Sequence, residues 1–96
     1  MDNELVPFDR VEVGEIYYYS YPSNEIYLFV SDKTSTSLSY SEYHFDLKKS
    51  LVIISRNNTV NEKGYSSKFK DVSRHAQRGE LVRKLMEVIK VEDVSK

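Results

Sequence analysis

Residues 26 to 30, Ile-Tyr-Leu-Phe-Val, are apolar at both parities. In a β-strand successive side chains point to opposite faces, so such a strand must be covered on both sides. Before it runs Ile16-Tyr17-Tyr18-Tyr19-Ser20-Tyr21, rich in the β-branched and aromatic residues that suit a pleated surface. Between the two, Tyr21-Pro22-Ser23-Asn24-Glu25 supplies Pro and Asn for a chain reversal. The spacing predicts a hairpin whose second strand is central, flanked by a barrel interior on one side and a helix on the other.

The rest of the chain organises around that hairpin. Residues 1 to 10 read as an extended lead-in, and Gly14 marks a bulge or sharp bend. Leu38 and Tyr40 share one strand parity while Tyr43, Phe45 and Leu47 share the other, which requires a bulge or break near Ser41-Glu42. Leu51 to Ile54 is a short buried strand, followed by turn signals at Asn57-Asn58 and Asn61-Glu62-Lys63-Gly64, with a weak fifth strand near Thr59-Val60. From about Ser67 the period changes. Val72, Ala76, Val82, Leu85, Met86 and Ile89 recur at helical spacing, widened by Leu81 and Val88, with Asp71 or Ser73 as cap and Gly79 as a point of weakness.

These elements predict one domain over residues 1–96, with a β segment over 11–66 and a helical segment over 67–91. The fold class is α+β or mainly β: a small antiparallel sheet or SH3-like barrel of four to five strands followed by a C-terminal amphipathic helix. The opener Val13-Gly14-Glu15-Ile16 is compatible with the start of such a barrel. With 96 residues the chain can bury a core without a metal or disulfide staple.

Composition narrows the chemistry. There is no cysteine, which excludes a disulfide scaffold and a thiolate zinc site. The acidic N-terminal residues do not form a signal peptide and no run reaches membrane-spanning length, so a cytoplasmic location and no membrane partner are expected. Charge is split along the chain: residues 1 to 46 carry −7 and residues 47 to 96 carry +6. Either the halves neutralise each other on packing, or two oppositely charged surfaces result.

No catalytic motif stands out. Serines and threonines abound, but no nucleophile-elbow glycine pattern surrounds any serine, and no phosphate-cradling loop is present. Glu42, His44 and Asp46 alternate on one strand face, yet a strand rise of about 3.3 Å per residue spreads them too widely for one metal. His75 reads as a surface residue of the helix beside Arg74. No cofactor and no metal are expected.

What remains points to recognition. Tyr17, Tyr19 and Tyr21 share one face of the first strand and Tyr18 the other, so whichever face is buried, a tyrosine is left outside unless helices and loops cover it. Lys68, Lys70, Arg74 and Arg78 open the basic helical segment, with Arg74 and Arg78 one helical turn apart. The leading expectation is a non-enzymatic protein-binding module, an accessory or inhibitory factor of the kind a phage or mobile element encodes. Its partner surface would be Tyr17, Tyr19, Tyr21, Lys68, Lys70, Arg74 and Arg78. The alternative is a nucleic-acid-binding domain in which the same cations take phosphates and the tyrosines stack on bases. A third reading is a small nuclease-like enzyme centred on His44, and a homodimer through the edge of the first strand is a further option.

Overall fold

In a computed structural model that describes residues 6–20, 24–69 and 74–95, the chain forms a six-stranded mixed sheet with a helix on each face. A 3₁₀ turn at Phe8–Arg10 precedes β1 (Ile16–Ser20), β2 (Asn24–Lys33), β3 (Ser37–Asp46) and β4 (Leu51–Asn61). Then come α1 (Glu62–Lys68), β5 (Arg74–Ala76), α2 (Arg78–Glu87) and β6 (Lys90–Ser95). The spatial order is β5-β1-β2-β3-β4-β6, antiparallel except for the parallel pair β4 and β6.

The expected hairpin is present, with Ile16 opposite Phe29 and Ser20 opposite Glu25. The barrel is not. The sheet is open, ending in β5 and β6, because β1 and β2 are apolar on both faces. A sheet closed on itself would bury only its inner face, whereas an open sheet between helices buries both. One cluster joins Tyr17, Tyr19, Ile26, Leu28, Val30, Leu38 and Tyr40 to Phe8, Val11, Tyr65 and Phe69 of the 3₁₀ turn and α1 region. The opposite cluster joins Ile16, Tyr27, Phe45, Val52, Ile54 and Ala76 to Leu81 of α2, with Leu85 and Val88 half-buried at its edge.

The phase change in β3 has a specific origin. Tyr40 pairs with Asn58 but Glu42 pairs with Ser55, so β4 carries one residue more than β3 at the expected point. Asn57 takes the strained backbone there, at φ 60°, a left-handed conformation that Asn tolerates better than most residues. That extra residue turns the even-numbered side chains of β4 over: Val52 and Ile54 pack in one cluster and Val60 against the other.

The C-terminal segment departs most from expectation. Residues 67–91 do not form one amphipathic helix but the end of α1, the edge strand β5, α2 and the start of β6. Asn61 caps α1 by accepting the Gly64 N–H at 2.6 Å, and Gly64 is needed because a Cβ there would lie 2.6 Å from Val60 Cγ2. Turn signals thus became a helix start. The start of α2 is fixed by Gln77, whose N–H donates to Glu80 Oε2 at 3.1 Å while its carbonyl accepts the Glu80 N–H at 3.0 Å. Gly79 therefore sits in the first turn and not at a mid-helix break, and the proposed caps Asp71 and Ser73 lie outside the described residues. Val88 is extended, and the β-branched Val91 and Val94 continue as β6, tied to β4 by an Arg56–Asp93 ion pair at 3.0 Å.

Candidate functional site

The strand-one tyrosines expected on a partner surface are largely inside. Tyr17 is 4% exposed and Tyr19 2%. The Tyr17 hydroxyl accepts the Glu12 N–H at 3.0 Å, and Tyr19 meets the Phe69 ring edge-on at 5.7 Å and points its hydroxyl at the buried carboxylate of Glu42, 3.5 Å away. With the 3₁₀ turn and α1 over that face, neither ring can stack on a partner while the fold is intact. Tyr18, of opposite parity, lies half-buried beneath the Arg74 guanidinium, 4.5 Å from its ring centre. Tyr21 and Lys70 fall outside the described residues.

Nor do the cations form one patch. Lys68 donates to the Tyr40 hydroxyl at 3.2 Å on the α1 side of the sheet. Arg74 is in β5, on the α2 side, and holds Glu80 through two bonds of 3.0 and 2.7 Å. Arg74 and Arg78 do not share a helix face, because the helix begins at Arg78.

Between β1, β2 and α2 lies a cleft of about 270 Å³, bounded by Tyr18, Glu25, Tyr27, Arg74, Glu80, Arg83, Lys84 and Glu87. Its charges are mostly spent on each other. The Arg74 hydrogen bond holds the Glu80 carboxyl below the usual range, and Glu80 in turn raises Arg74. Lys84 Nζ lies 2.8 Å from Glu25 Oε1, and hydrogen bonding to that carboxylate, reinforced by its charge, raises the Lys84 ammonium. Burial, reinforced by the Glu25 and Glu80 charges, pushes Tyr27 up to about 12. The cleft fastens α2 to the sheet and brings part of the acidic N-terminal half against the basic C-terminal half.

A second cleft, about 380 Å³, is lined by Val6, Arg10, Glu12, Glu15, Tyr17 and His75. Its geometry starts from a tight turn in which the Glu15 N–H donates to the Glu12 carbonyl at 3.3 Å. Gly14 has φ 88°, which only glycine adopts freely, and its N–H donates to the Val30 carbonyl at 2.8 Å. The turn places Glu12 and Glu15 at its two ends. Pairing of β5 with β1 then sets His75 opposite Tyr17, ring centres 5.4 Å apart, with His75 Nε2 in contact with the Glu15 carboxylate. Burial raises the Tyr17 phenol above its ordinary value. His75 and Glu15 also border a smaller cleft of about 180 Å³ that includes Gly14, Gln77 and Arg78. Two carboxylates, an imidazole and a guanidinium thus line the larger opening.

The sequence reading missed this cluster, because it assigned His75 to a helix and Glu15 is 60 residues away. The trio it did weigh is not assembled. Asp46 accepts the N–H groups of Lys48 and Lys49 at 3.1 and 3.2 Å in the β3–β4 turn, while Glu42 faces Tyr19. Among the described residues no group of three or more His, Cys, Asp or Glu side chains is placed to hold a metal ion.

The third feature is the outer face of α2. Leu81 points into the core, but Val82 is 47% exposed and Met86 and Ile89 are each 82% exposed. Val82 and Met86 are one helical turn apart, and Ile89 follows just beyond the helix end. Arg78 and Arg83, exposed on the same helix, make no ion pair among the described residues, unlike Arg74 and Lys84. After α2 in the chain, the edge strand β6 leaves Val91 and Val94 exposed. No helix among the described residues is long and apolar enough to cross a membrane. Comparison with known proteins finds no matching family, no matching characterised relative and no matching solved structure.

Proposed function

We propose that this chain is a protein-binding module, an accessory or inhibitory factor, that docks an acidic amphipathic segment of another protein on the outer face of α2. The observation that carries this reading is the apolar stripe of Val82 and Met86, continued by Ile89, on the solvent side of a helix whose other side is already packed. A helix apolar on two sides leaves one side to be covered by something else. Arg78 and Arg83 flank the stripe without ion-pair partners among the described residues, so the complementary occupant carries carboxylates beside its apolar anchors. The remaining basic residues favour this over a nucleic-acid surface, since Arg74 and Lys84 are held by carboxylates and Lys68 bonds a tyrosine on the other face.

The reading is tested by selecting random peptides displayed on phage against the folded protein, with counter-selection on a Val82→Glu, Met86→Glu variant. Peptides enriched only on the parent should combine apolar residues at helical spacing with Asp or Glu, and should lose binding when Arg78 and Arg83 are both changed to Glu. Peptides retained equally by the double variant, or without acidic content, refute it.

A further inference from the structure

The second cleft holds chemistry that docking on α2 does not use. Its described lining contains no serine, threonine or cysteine, so no hydroxyl or thiol of the protein is at hand to act as nucleophile. Tyr17 is not one either, since its ring is buried and its phenol is raised above the ordinary value. What the cleft offers is two carboxylates, an imidazole and a guanidinium: groups that move protons and hold an anion. Such a set acts on a substrate that brings its own nucleophile next to an anionic centre. A ribose 2′-hydroxyl beside a phosphodiester meets both conditions, and about 380 Å³ accommodates a nucleotide.

We propose that this cleft cleaves single-stranded RNA by internal transesterification. The Glu12 carboxylate takes the proton of the 2′-hydroxyl, and the O2′–P bond forms. The P–O5′ bond breaks as the His75 imidazolium gives its proton to the departing O5′, and Arg10 neutralises the phosphoryl oxygens. The products are a 2′,3′-cyclic phosphate and a 5′-hydroxyl, with Glu12 left protonated and His75 neutral. Water then opens the cyclic phosphate with the two roles reversed, which restores both groups. Glu15 is a positioning residue: it holds His75 through Nε2 and leaves Nδ1 for the substrate's proton. The turn that sets Glu12 and Glu15 at its ends and the β1–β5 pairing that brings in His75 are independent parts of the fold converging on one opening.

The experiment incubates the full chain with end-labelled single-stranded RNA in EDTA and identifies the new ends. Cyclic-phosphate ends should appear, DNA of the same sequence should stay intact, and His75→Gln and Glu12→Gln should each lower the rate about 100-fold or more. Both side chains are solvent-exposed, so Glu12→Gln should melt with the parent, and the His75→Gln rate is read well below its own melting temperature because that change also removes the imidazole contact with Glu15. The Val82→Glu, Met86→Glu protein should keep the full rate, which separates this activity from the docking face. RNA left intact, cleavage abolished by EDTA, equal cutting of DNA, or an undiminished rate in either variant overturns the proposal.

Discussion

The orientation of α2 makes a sharp prediction, because two apolar residues five positions apart on one helix are given opposite fates. Leu81 is 6% exposed within the core cluster, while Met86 is 82% exposed. Burial of a leucine and the cavity left by its loss make Leu→Ala cost about 2–5 kcal/mol. Leu85 and Val88 beside it are only partly buried and can close over part of the void, so Leu81→Ala should cost about 2–3 kcal/mol, at the low end. In a domain of this size that lowers the melting temperature by about 10 to 20 °C. Met86→Ala removes little buried area and places a better helix former in the last turn, so its effect should stay within about 0.5 kcal/mol. Thermal unfolding by circular dichroism at two protein concentrations is the assay. Equal destabilisation by both changes would show that the helix is rotated from the orientation described. Destabilisation by Met86→Ala that grows with protein concentration would show the stripe already covered by a second copy, and the foreign-segment reading would fall.

Four further outcomes follow from single contacts. Lys33 Nζ donates to the carbonyls of Phe8 and Val11 at 2.8 and 2.9 Å and lies over the Phe8 ring, so Lys33→Met should cost about 2–3 kcal/mol, read as a lower urea midpoint at unchanged slope. Gly14→Ala forces a Cβ into φ 88° and should cost about 1–2 kcal/mol although no atom crowds the position. Tyr27 and Tyr65 are pushed up to about 12 by burial, against 10.0 for the free phenol. The folded state therefore resists their ionisation: this stability is complete below pH 10 and is lost as pH rises toward 12, so their phenolate absorbance should appear together with unfolding. Glu80, held low by Arg74, gives the opposite sign, with stability present above the ordinary carboxylate range and lost as pH falls through its folded value; Glu80→Gln should remove that acid dependence and cost about 1 kcal/mol through the helix start.

How much of this was legible in the sequence depends on how local each determinant is. The β1–β2 hairpin and the two-sided cover over β2 follow from parity within a few residues, and so does the register fault near Ser41-Glu42, although its extra residue sits on β4. The C-terminal third was misread because apolar residues at helical spacing run from β5 through α2 to the turn before β6, and the pattern does not mark where Gln77 starts one element and Val88 ends it. Within α2, Val82 and Met86 counted as core because they are apolar; only docking through Leu81, Leu85 and Val88 decides which of two apolar stripes turns inward.

The acid–base cleft shows the same division inside one site. Its Glu12–Glu15 half was half-visible, since Gly14 announces a sharp turn and a tight turn brings its first and fourth residues together. Its His75 half was not, because it comes from pairing across the length of the chain. β5 has only three residues, too few for its backbone bonds alone to hold an edge strand in register. What keeps it beside β1 is Ala76 in the core, Arg74 over Tyr18 and His75 against Glu15. The contact that would orient the imidazole for catalysis is therefore one of the contacts that builds the edge of the sheet. A Glu15→Ala protein should loosen β5 and the cleft together, whereas Glu12→Gln, at the far end of the same turn, should leave the strand in place.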